Sequence, residues 1–223
     1  MEAQKSLIIG ASGGIGAALC DALAARGETV VGLSRSGDGL DITDEASIRR
    51  ALSGVDGPFH RIVVATGGLE IDGNGPEKSF RELDADRLMA QFRLNAMGPA
   101  LVLKHVMPLI PRDGRAVLAV LSARVGSIGD NRLGGWHAYR AAKAALNQIV
   151  HGAAIELART HKQAIAVALH PGTVQTELTR KYVGRHPAVP PPEAAQNLIR
   201  VMDGLDVTDT GGFFDWAGKV IPW

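Results

Sequence analysis

The sequence predicts an α/β fold in which a doubly wound parallel sheet carries helices on both faces. Three observations favour this class. Short apolar runs alternate with helical patterns, the runs are almost continuously apolar, and a glycine-rich turn follows the first of them. Strands of this kind are typical of parallel sheets covered on both faces. With 223 residues, 46% of them hydrophobic, the chain is expected to form one domain over residues 1–223.

The first half of the chain alternates strands and helices. Ile15, Leu19 and Leu23 recur at a four-residue spacing, which predicts a helix, and Gly27 is expected just past its end. Asp44 is expected to cap the next helix. The elements expected in this half are strand Lys5–Ile9, helix Ile15–Arg26, strand Thr29–Leu33, a helix from Asp44 to about Ser53, and strand Arg61–Ala65.

The second half continues the alternation after a polar, glycine-rich loop over residues 70–79. A long helix is expected from about Asp84 to Ile110, with Pro99 kinking or breaking it. The elements expected after it are strand Arg115–Leu121, helix Trp136–His161, strand Ala164–Leu169, helix Pro192–Met202 and an edge or final strand over Gly212–Trp216.

Composition argues against several kinds of partner. Lysine and arginine total 24 against 23 acidic residues, so a net charge of +1 gives no field that would recruit nucleic acid. Polar residues interrupt the longest apolar stretch, over 94–110, so no membrane insertion is expected. Cys20 is the only cysteine, which suits a reducing, cytoplasmic setting. The seven histidines show no metal-ligand spacing, so no metal is expected.

A glycine-rich turn joins the first strand to the first helix. Gly10, Gly14 and Gly16 are spaced more widely than the glycines of the common G-x-G-x-x-G motif. Glycines here let the backbone approach a pyrophosphate, which the helix N-terminus can bind. The sequence therefore predicts dinucleotide binding by the residues of this turn, which are Gly10, Ser12, Gly13, Gly14, Ile15 and Gly16.

The end of the second strand bears on the choice between NADP and NAD. An acid there binds the adenosine 2′-hydroxyl of NAD, whereas a basic residue accommodates the 2′-phosphate of NADP. Ser34 and Arg35 stand at this point, and Asp38 comes a few residues later. The sequence therefore favours NADP(H), and NAD(H) stays open as the alternative.

Tyr139 and Lys143 lie one helical turn apart, so both side chains can point into one site. The nearby cation is expected to stabilise the phenolate and lower the tyrosine pKa towards the range that suits general acid–base catalysis. The spacing is commonplace by itself, and it gains meaning from the glycine turn and from Ser122 at a strand end. Together these residues predict hydride transfer on a carbonyl or alcohol, with the protein supplying the proton.

Over essentially its whole length, the chain resembles the short-chain dehydrogenase/reductase family, whose members have a Rossmann domain. The resemblance is carried by the glycine turn, Asp41-Ile42, Asn95, Ser122, the run from Tyr139 to Lys143, and the run from Pro171 to Thr176.

The resemblance implies a role for each of these residues. Tyr139 would be the proton donor and acceptor, and Lys143 would bind the nicotinamide ribose and tune Tyr139. Ser122 would polarise the substrate carbonyl, and Asn95 would support a water-linked proton path. The other residues implied to bind the cofactor are Asp41 and Ile42 at the adenine, Val174 and Thr176 at the nicotinamide carboxamide, and Thr66, Gly67, Pro171 and Gly172.

The chain departs from the family pattern at three places. Ile9 replaces the usual threonine before the first glycine, and the segment 65–68 replaces the usual Asn-Asn-Ala-Gly. More residues than usual separate Ser122 from Tyr139, and these are expected to form a loop over the active site. The region 177–192, which is the substrate lid in this family, is short. A short lid predicts a shallow pocket or one completed by a partner subunit.

A narrower likeness, over residues 122–136 and the tail 221–223, is to the bacterial C-factor-like branch of the family. That branch is associated with cell–cell signalling, so a dinucleotide-binding signalling protein with weak or vestigial catalysis stays open as the alternative to an enzyme. The family likeness also implies a small-molecule carbonyl or alcohol substrate and a homodimer or homotetramer.

Overall fold

The computed structural model describes residues 4–181 and 188–223, which contain one six-stranded, fully parallel sheet. Its strand order is β2-β1-β3-β4-β5-β6. The chain runs outward from β1 to β2 and then returns to continue on the other side of β1, as in doubly wound folds. The predicted fold class is confirmed. The strands are β1 (Lys5–Ile9), β2 (Thr29–Leu33), β3 (Arg61–Val64), β4 (Ala116–Leu121), β5 (Ala164–His170) and β6 (Phe213–Asp215).

Helices connect the strands, and most of them lie where the sequence pattern predicts. Asp44 caps α3 as expected, since its carboxylate accepts the N–H groups of Ala46 and Ser47. The four-residue α2 was not predicted. No helix in the described part of the chain has the length and apolar character needed to cross a membrane. The helices are α1 (Gly14–Ala25), α2 (Arg35–Asp38), α3 (Glu45–Leu52), α4 (Ala85–Phe92), α5 (Gly98–Val106), α6 (His137–Thr160) and α7 (Pro191–Gly204).

The helices cover the sheet on both faces and bury one core cluster on each. Helices α3, α5 and α6 contribute to the first cluster, and α1 and α7 contribute to the second. Side chains of β4 alternate between the two because successive residues of a strand point to opposite faces. Ala116, Leu118 and Val120 belong to the first cluster, and Val117, Ala119 and Leu121 belong to the second. An even-numbered residue that continues β4 is therefore expected to face α6.

The single long helix expected over Asp84–Ile110 is divided in the structure. A π-helical turn over Arg93–Met97 separates α4 from α5, and the break lies just before Pro99 rather than at it. Pro99 has no N–H to donate to the carbonyl of Asn95, and its ring would clash with that carbonyl in a regular α-helix. Widening the preceding turn avoids the clash, which explains the position of the π turn.

The expected lid over 177–192 is described only at its two ends, because residues 182–187 lie outside the described part of the chain. The ends are held close together. The N–H of Val189 donates to the carbonyl of Thr173 at 3.0 Å, and the N–H of Gln175 donates to the carbonyl of Val189 at 2.9 Å. This pairing fixes the base of the lid next to the end of β5.

Candidate active site

The carboxyl ends of β1, β3, β4 and β5 bring the predicted site residues to one edge of the sheet, since neighbouring parallel strands end at the same edge. Gly10 follows β1 in a left-handed conformation, with φ of 95°. A Cβ at Gly10 would lie 2.7 Å from the carbonyl oxygen of Ala65 and 3.1 Å from Cγ2 of Thr66. The turn after β1 therefore packs directly against the turn after β3.

The glycine turn fits the expected pyrophosphate site. A Cβ at Gly16 would lie 2.1 Å from the carbonyl oxygen of Gly10, so a side chain there would push the helix away from the turn. A Cβ at Gly14 would lie 2.8 Å from Cγ2 of Thr176, which places Thr176 beside the start of α1. Gly13 caps α1 without any side-chain hydrogen bond, so the first N–H groups of this helix can receive an anion.

Gly67 brings together Asn95 and Lys143, which the sequence separates by 48 positions. A Cβ on Gly67 would lie 2.9 Å from Oδ1 of Asn95 and 3.4 Å from Nζ of Lys143. Gly67 has φ of 150°, which favours glycine. The short distances to Asn95 and Lys143 and this backbone conformation both favour glycine at position 67. Three of the predicted site residues thus meet at one point beside the end of β3.

Asn95 is fully buried, and its amide is used to hold the segment after β3. Its Oδ1 accepts the N–H of Gly68 at 3.1 Å, and its Nδ2 donates to the carbonyl of Gly68 at 2.8 Å and to Oε1 of Gln91 at 2.6 Å. Gln91 in turn donates to the carbonyl of Leu69 at 2.9 Å. Gln91 was not predicted from the sequence. Its position one turn before Asn95 on an amphipathic helix was the available signal.

Tyr139 and Lys143 lie on the buried face of α6, with 9% and 3% of their surfaces exposed. Nζ of Lys143 donates to the carbonyl of Leu121 at 3.1 Å and lies 5.9 Å from the centre of the Tyr139 ring. An ammonium has three donors, so Lys143 retains donors for a ligand. The predicted juxtaposition of the two side chains is present.

The pKa of Tyr139 is shifted in the direction opposite to the one expected from the sequence. Burial raises the pKa of Tyr139 above its ordinary value, whereas the sequence predicted a pKa lowered by Lys143. Burial also lowers the pKa of Lys143 to about 8. Desolvation disfavours the charged form of each group, and here it outweighs the attraction between a phenolate and an ammonium. Tyr139 is therefore a protonated phenol at neutral pH.

Ser122 lies directly after β4 and points towards α6, as the alternation along this strand predicts. It is 4% exposed, and its Oγ donates to Oδ1 of Asn147 at 2.6 Å. The expectation that Ser122 polarises a carbonyl stays a prediction. Asn147, one turn beyond Lys143, was also not predicted from the sequence.

The residues expected at the adenosine end lie near the carboxyl end of β2. Ser34 caps α2, and Asp38 folds back to accept the N–H of Ser34 at 2.8 Å, so an acid does lie at this turn. Arg35 begins α2 and is exposed. Hydrogen bonds from Thr43 lower the pKa of the exposed Asp41. Ile42 is 5% exposed, and it packs against Gly98, so its side chain belongs to the core and only its backbone can face an adenine.

The segment before α6 contacts Tyr139 as expected for a loop at the site. The N–H of Gly129 donates to the carbonyl of Trp223 at 2.8 Å, which ties this segment to the C-terminal residues. At its other end, the ring of Trp136 meets the ring of Tyr139 edge-on, with 6.4 Å between centroids.

Glu77 holds the start of α6 and was not predicted. Trp136 occupies the N-cap position in a left-handed conformation and provides no side-chain cap. The carbonyl of Glu77 accepts the N–H of Trp136, and its carboxylate accepts the N–H of Ala138 at 3.3 Å. A carboxylate is favourable at a helix N-terminus. The partners are about 60 residues apart, so the sequence gives no local signal of this contact.

Two histidines near the site, His137 and His170, lie in different surroundings. His137 stacks on Phe80, with 4.0 Å between ring centroids. Burial lowers the pKa of His170 to about 4, so its imidazole is neutral at pH 7. Over residues 4–181 and 188–223, no group of three or more His, Cys, Asp or Glu side chains could hold a metal ion.

Comparison with known proteins decides the family. A family model described as enoyl-(acyl carrier protein) reductase matches residues 10–214, which is most of the chain. The chain belongs to the short-chain dehydrogenase/reductase family. This confirms the resemblance predicted from its motifs and makes the chain a member of an oxidoreductase family.

Relatives within this family agree with that assignment. The chain is 31% identical to 1-hydroxy-2-glutathionyl-2-methyl-3-butene dehydrogenase of Rhodococcus sp. strain AD45, over 97% of this chain and 98% of that protein. It is 34% identical to C-signal of Myxococcus xanthus, over 64% of this chain and 82% of that protein. A short-chain dehydrogenase/reductase structure from Burkholderia multivorans with bound NADP superposes with a TM-score of 0.78 and 26% identity, covering 99% of this chain and 100% of the other.

The lowered pKa of Lys143 predicts how stability depends on pH. Below about pH 8 Lys143 is protonated in the folded and unfolded chains, whereas between about 8 and 10.5 only the unfolded chain retains the proton. The free energy of unfolding therefore gains a contribution that rises with pH in this window, by at most about 1.4 kcal/mol per pH unit.

The variant Lys143→Met removes this pH-dependent contribution. Urea unfolding at pH 7 and pH 10 should show wild type gaining stability relative to Lys143→Met as pH rises. A difference between the two proteins that does not change with pH would contradict this account.

Proposed function

We propose that this chain is an NADP(H)-dependent reductase or dehydrogenase that interconverts a carbonyl and an alcohol, with Tyr139 as the general acid and base. The observation that carries the proposal is the position of the Tyr139–Lys143 face of α6. This face lies at the carboxyl edge of the sheet, where Nζ of Lys143 lies beside Gly67 and Asn95. A titratable phenol, an ammonium and a glycine-lined anion site at one edge suit hydride transfer.

The cofactor would be held along this edge. The N–H groups at the start of α1 would bind the pyrophosphate, and Arg35 would meet the 2′-phosphate. Oγ1 of Thr66 is buried without a hydrogen-bond partner among the described residues, so it offers an unused polar group beside the glycine turn. Lys143 would bind the nicotinamide ribose. NADP in the Burkholderia multivorans structure supports this choice of cofactor. When bound, NADPH would supply the hydride, a two-electron step that no amino-acid side chain can perform.

Tyr139 would supply the proton in the reduction. Its phenol is protonated at neutral pH, as tyrosine ordinarily is, so it holds a proton that it can donate to a carbonyl oxygen as negative charge develops there. The Lys143 ammonium beside it would stabilise the resulting phenolate. Asn95 would act by fixing the backbone of Gly68 beside Lys143, and the water-linked path expected through Asn95 stays a prediction. Polarisation of the carbonyl by Ser122, which lies at the end of β4 within hydrogen-bond distance of Asn147, stays a prediction.

The substrate we propose is a small molecule with a carbonyl or secondary alcohol. The Rhodococcus relative, which matches over nearly all of both chains, is named as a dehydrogenase of a hydroxylated glutathionyl compound. The pairing of Val189 with Thr173 and Gln175 holds the two ends of the lid together beside the site. The shallow pocket stays a prediction. A homodimer or homotetramer stays a prediction.

The second candidate is a dinucleotide-binding signalling protein with weak catalysis. The similarity to C-signal of Myxococcus xanthus favours it. The presence of Tyr139, Lys143 and Asn95 together at the sheet edge favours an active enzyme instead, because signalling by dinucleotide binding does not need a buried phenol at this point.

Tyr139→Phe tests the proposed function. Removing the phenolic hydroxyl should lower kcat for NADPH-dependent carbonyl reduction by about 10²- to 10⁴-fold, because the general acid is lost. The measurement is NADPH oxidation across a panel of aldehydes and ketones, with NADPH binding followed by fluorescence as the control for an intact site. If both proteins bind NADPH and are equally inactive on every compound, the signalling candidate is correct.

Arg35→Ala tests the cofactor preference. Loss of the guanidinium should raise the Kd for NADPH by roughly 10- to 100-fold, the range expected for a charge-assisted hydrogen bond, and change the Kd for NADH by less than about twofold. Arg112→Ala is the matched control, since Arg112 is also exposed but lies before β4 at the opposite edge of the sheet. An unchanged Kd for NADPH in Arg35→Ala would show that Arg35 does not bind the 2′-phosphate.

A further inference from the structure

Trp136 has a backbone conformation that tryptophan rarely adopts. Its φ is 52° and its ψ is 40°, which lie in the left-handed region, and it is the N-cap residue of α6, three positions before Tyr139. Gly134 and Gly135 precede it with φ of 62° and 64°, so three consecutive residues have positive φ. A bulky side chain is strained in this region, because its Cβ crowds the following carbonyl oxygen. Trp136 therefore needs an explanation that local folding does not supply.

Contacts with two other segments hold this turn in place. On one side, the carbonyl of Glu77 accepts the N–H of Trp136. On the other side, Arg140 donates from Nε to the carbonyl of Gly135 at 3.0 Å and from a terminal nitrogen to the carbonyl of Val125 at 3.2 Å. Strained backbone persists only where its surroundings fix it, and here hydrogen bonds fix it from both sides. The position of the indole is therefore set by the fold itself.

The indole of Trp136 is held against the phenol of Tyr139. The two rings meet edge-on, with 6.4 Å between centroids and 66° between their planes. Trp136 is partly exposed, whereas Tyr139 is buried. A carbonyl oxygen that accepts the phenol hydrogen would lie about 2.6–3.2 Å from the phenolic oxygen. The groups on its carbon would then extend over the neighbouring surface, of which the indole is a part.

Apolar side chains continue the surface around Trp136. Phe80 is 76% exposed, and its ring stacks on that of His137, the residue after Trp136, with 4.0 Å between centroids. Leu133, in the turn before Trp136, is 88% exposed. A ligand that covers apolar surface of this kind gains the free energy of removing it from water. The substituent that suits this surface is apolar.

Packing alone does not explain a tryptophan at this position. Glycine, or the short polar side chain of asparagine, adopts a left-handed conformation with less strain than a residue that carries an indole. The contact with Tyr139 covers only part of the ring, since Trp136 stays partly exposed. An aromatic ring of a ligand can stack on the part that stays exposed, offset or edge-on. The indole is better explained by what it offers to a ligand beside Tyr139.

We propose that Trp136 is a specificity-determining residue, which stacks against an aromatic ring on the carbonyl carbon of the substrate while the carbonyl oxygen meets Tyr139. The inference rests on the proposed function and narrows its substrate class to aryl aldehydes and aryl ketones. Trp136 would contribute contact with the substituent and no proton, so its effect on the rate should depend on the substituent and not on the carbonyl group.

A comparison of two aldehydes tests this role. Benzaldehyde carries a flat ring, and cyclohexanecarbaldehyde has the same number of carbon atoms but a puckered ring. The measurement is kcat/KM for the NADPH-dependent reduction of each, expressed as the ratio of benzaldehyde to cyclohexanecarbaldehyde. Trp136→Gly should lower this ratio roughly three- to tenfold relative to wild type, because only the flat ring stacks on the indole. The intrinsic reactivities of the two aldehydes cancel in this comparison.

The variants are chosen so that loss of the ring does not disturb the turn. Glycine and asparagine both suit the left-handed backbone at position 136, so Trp136→Asn removes the ring in a second, independent way. Trp136→Phe retains an aromatic face and should keep the ratio within about twofold of the wild-type value. An unchanged ratio in Trp136→Gly and Trp136→Asn overturns the proposal, even if both aldehydes react more slowly, because the indole would then act on Tyr139 and not on the substituent.

Trp223→Ala is the matched control for loss of a tryptophan ring. Trp223 is 42% exposed, and its ring meets those of Phe213 and His151, the latter more than three turns beyond Tyr139 on α6. This variant should keep the ratio within about twofold of the wild-type value, since distant sites act independently. A fall in the ratio as large as that of Trp136→Gly would overturn the role of Trp136.

The same measurements separate failure of this inference from failure of the proposed function. If wild type reduces cyclohexanecarbaldehyde but not benzaldehyde, or if the ratio does not depend on Trp136, only the role of Trp136 fails. If wild type oxidises no NADPH with any aldehyde or ketone, the proposed function fails and the role of Trp136 fails with it.

Discussion

The contact between α6 and the end of β4 is the interaction on which the candidate site depends. Helix α6 carries Tyr139 and Lys143, and two side-chain hydrogen bonds, from Lys143 to Leu121 and from Ser122 to Asn147, join it to the strand. Burial at this contact raises the pKa of Tyr139 and lowers the pKa of Lys143 to about 8. The same packing that orients these groups therefore shifts their pKa values, so site geometry and site chemistry have one physical origin.

The second constraint on the candidate site is that backbone segments at the sheet edge must approach their neighbours closely. Gly16 lets α1 reach the turn after β1, and Gly67 lets the turn after β3 pass between Asn95 and Lys143. A Cβ at either position would collide with atoms that cannot move away without displacing the backbone or the site. The edge of the sheet can thus offer helix N–H groups and an ammonium to one ligand, provided that no side chain fills the space between them.

Much of this arrangement follows from local sequence patterns. The order of strands and helices, the glycine turn, the Asp44 cap and the shared face of Tyr139 and Lys143 all depend on residues close together in the chain. The role expected for Ser122 came from resemblance, whereas the direction of its side chain towards α6 follows from the alternation of β4. The contacts of Glu77 with α6 and of Asn95 with Gly68 join distant segments, so no local pattern reveals them. The pKa of Tyr139 depends on burial in the folded chain, which spacing along a helix cannot give.

The central claim is that the protein reduces a carbonyl at the carboxyl edge of its sheet with a hydride that NADPH would supply. The most direct test follows a label rather than a rate. Wild-type protein is given NADPH in which both hydrogens at C4 of the nicotinamide are deuterium, together with the carbonyl compound that it reduces fastest, and the alcohol is analysed by mass spectrometry. The account predicts one deuterium on the carbinol carbon of each alcohol molecule. An unlabelled alcohol, or no alcohol from any compound tested, would contradict it.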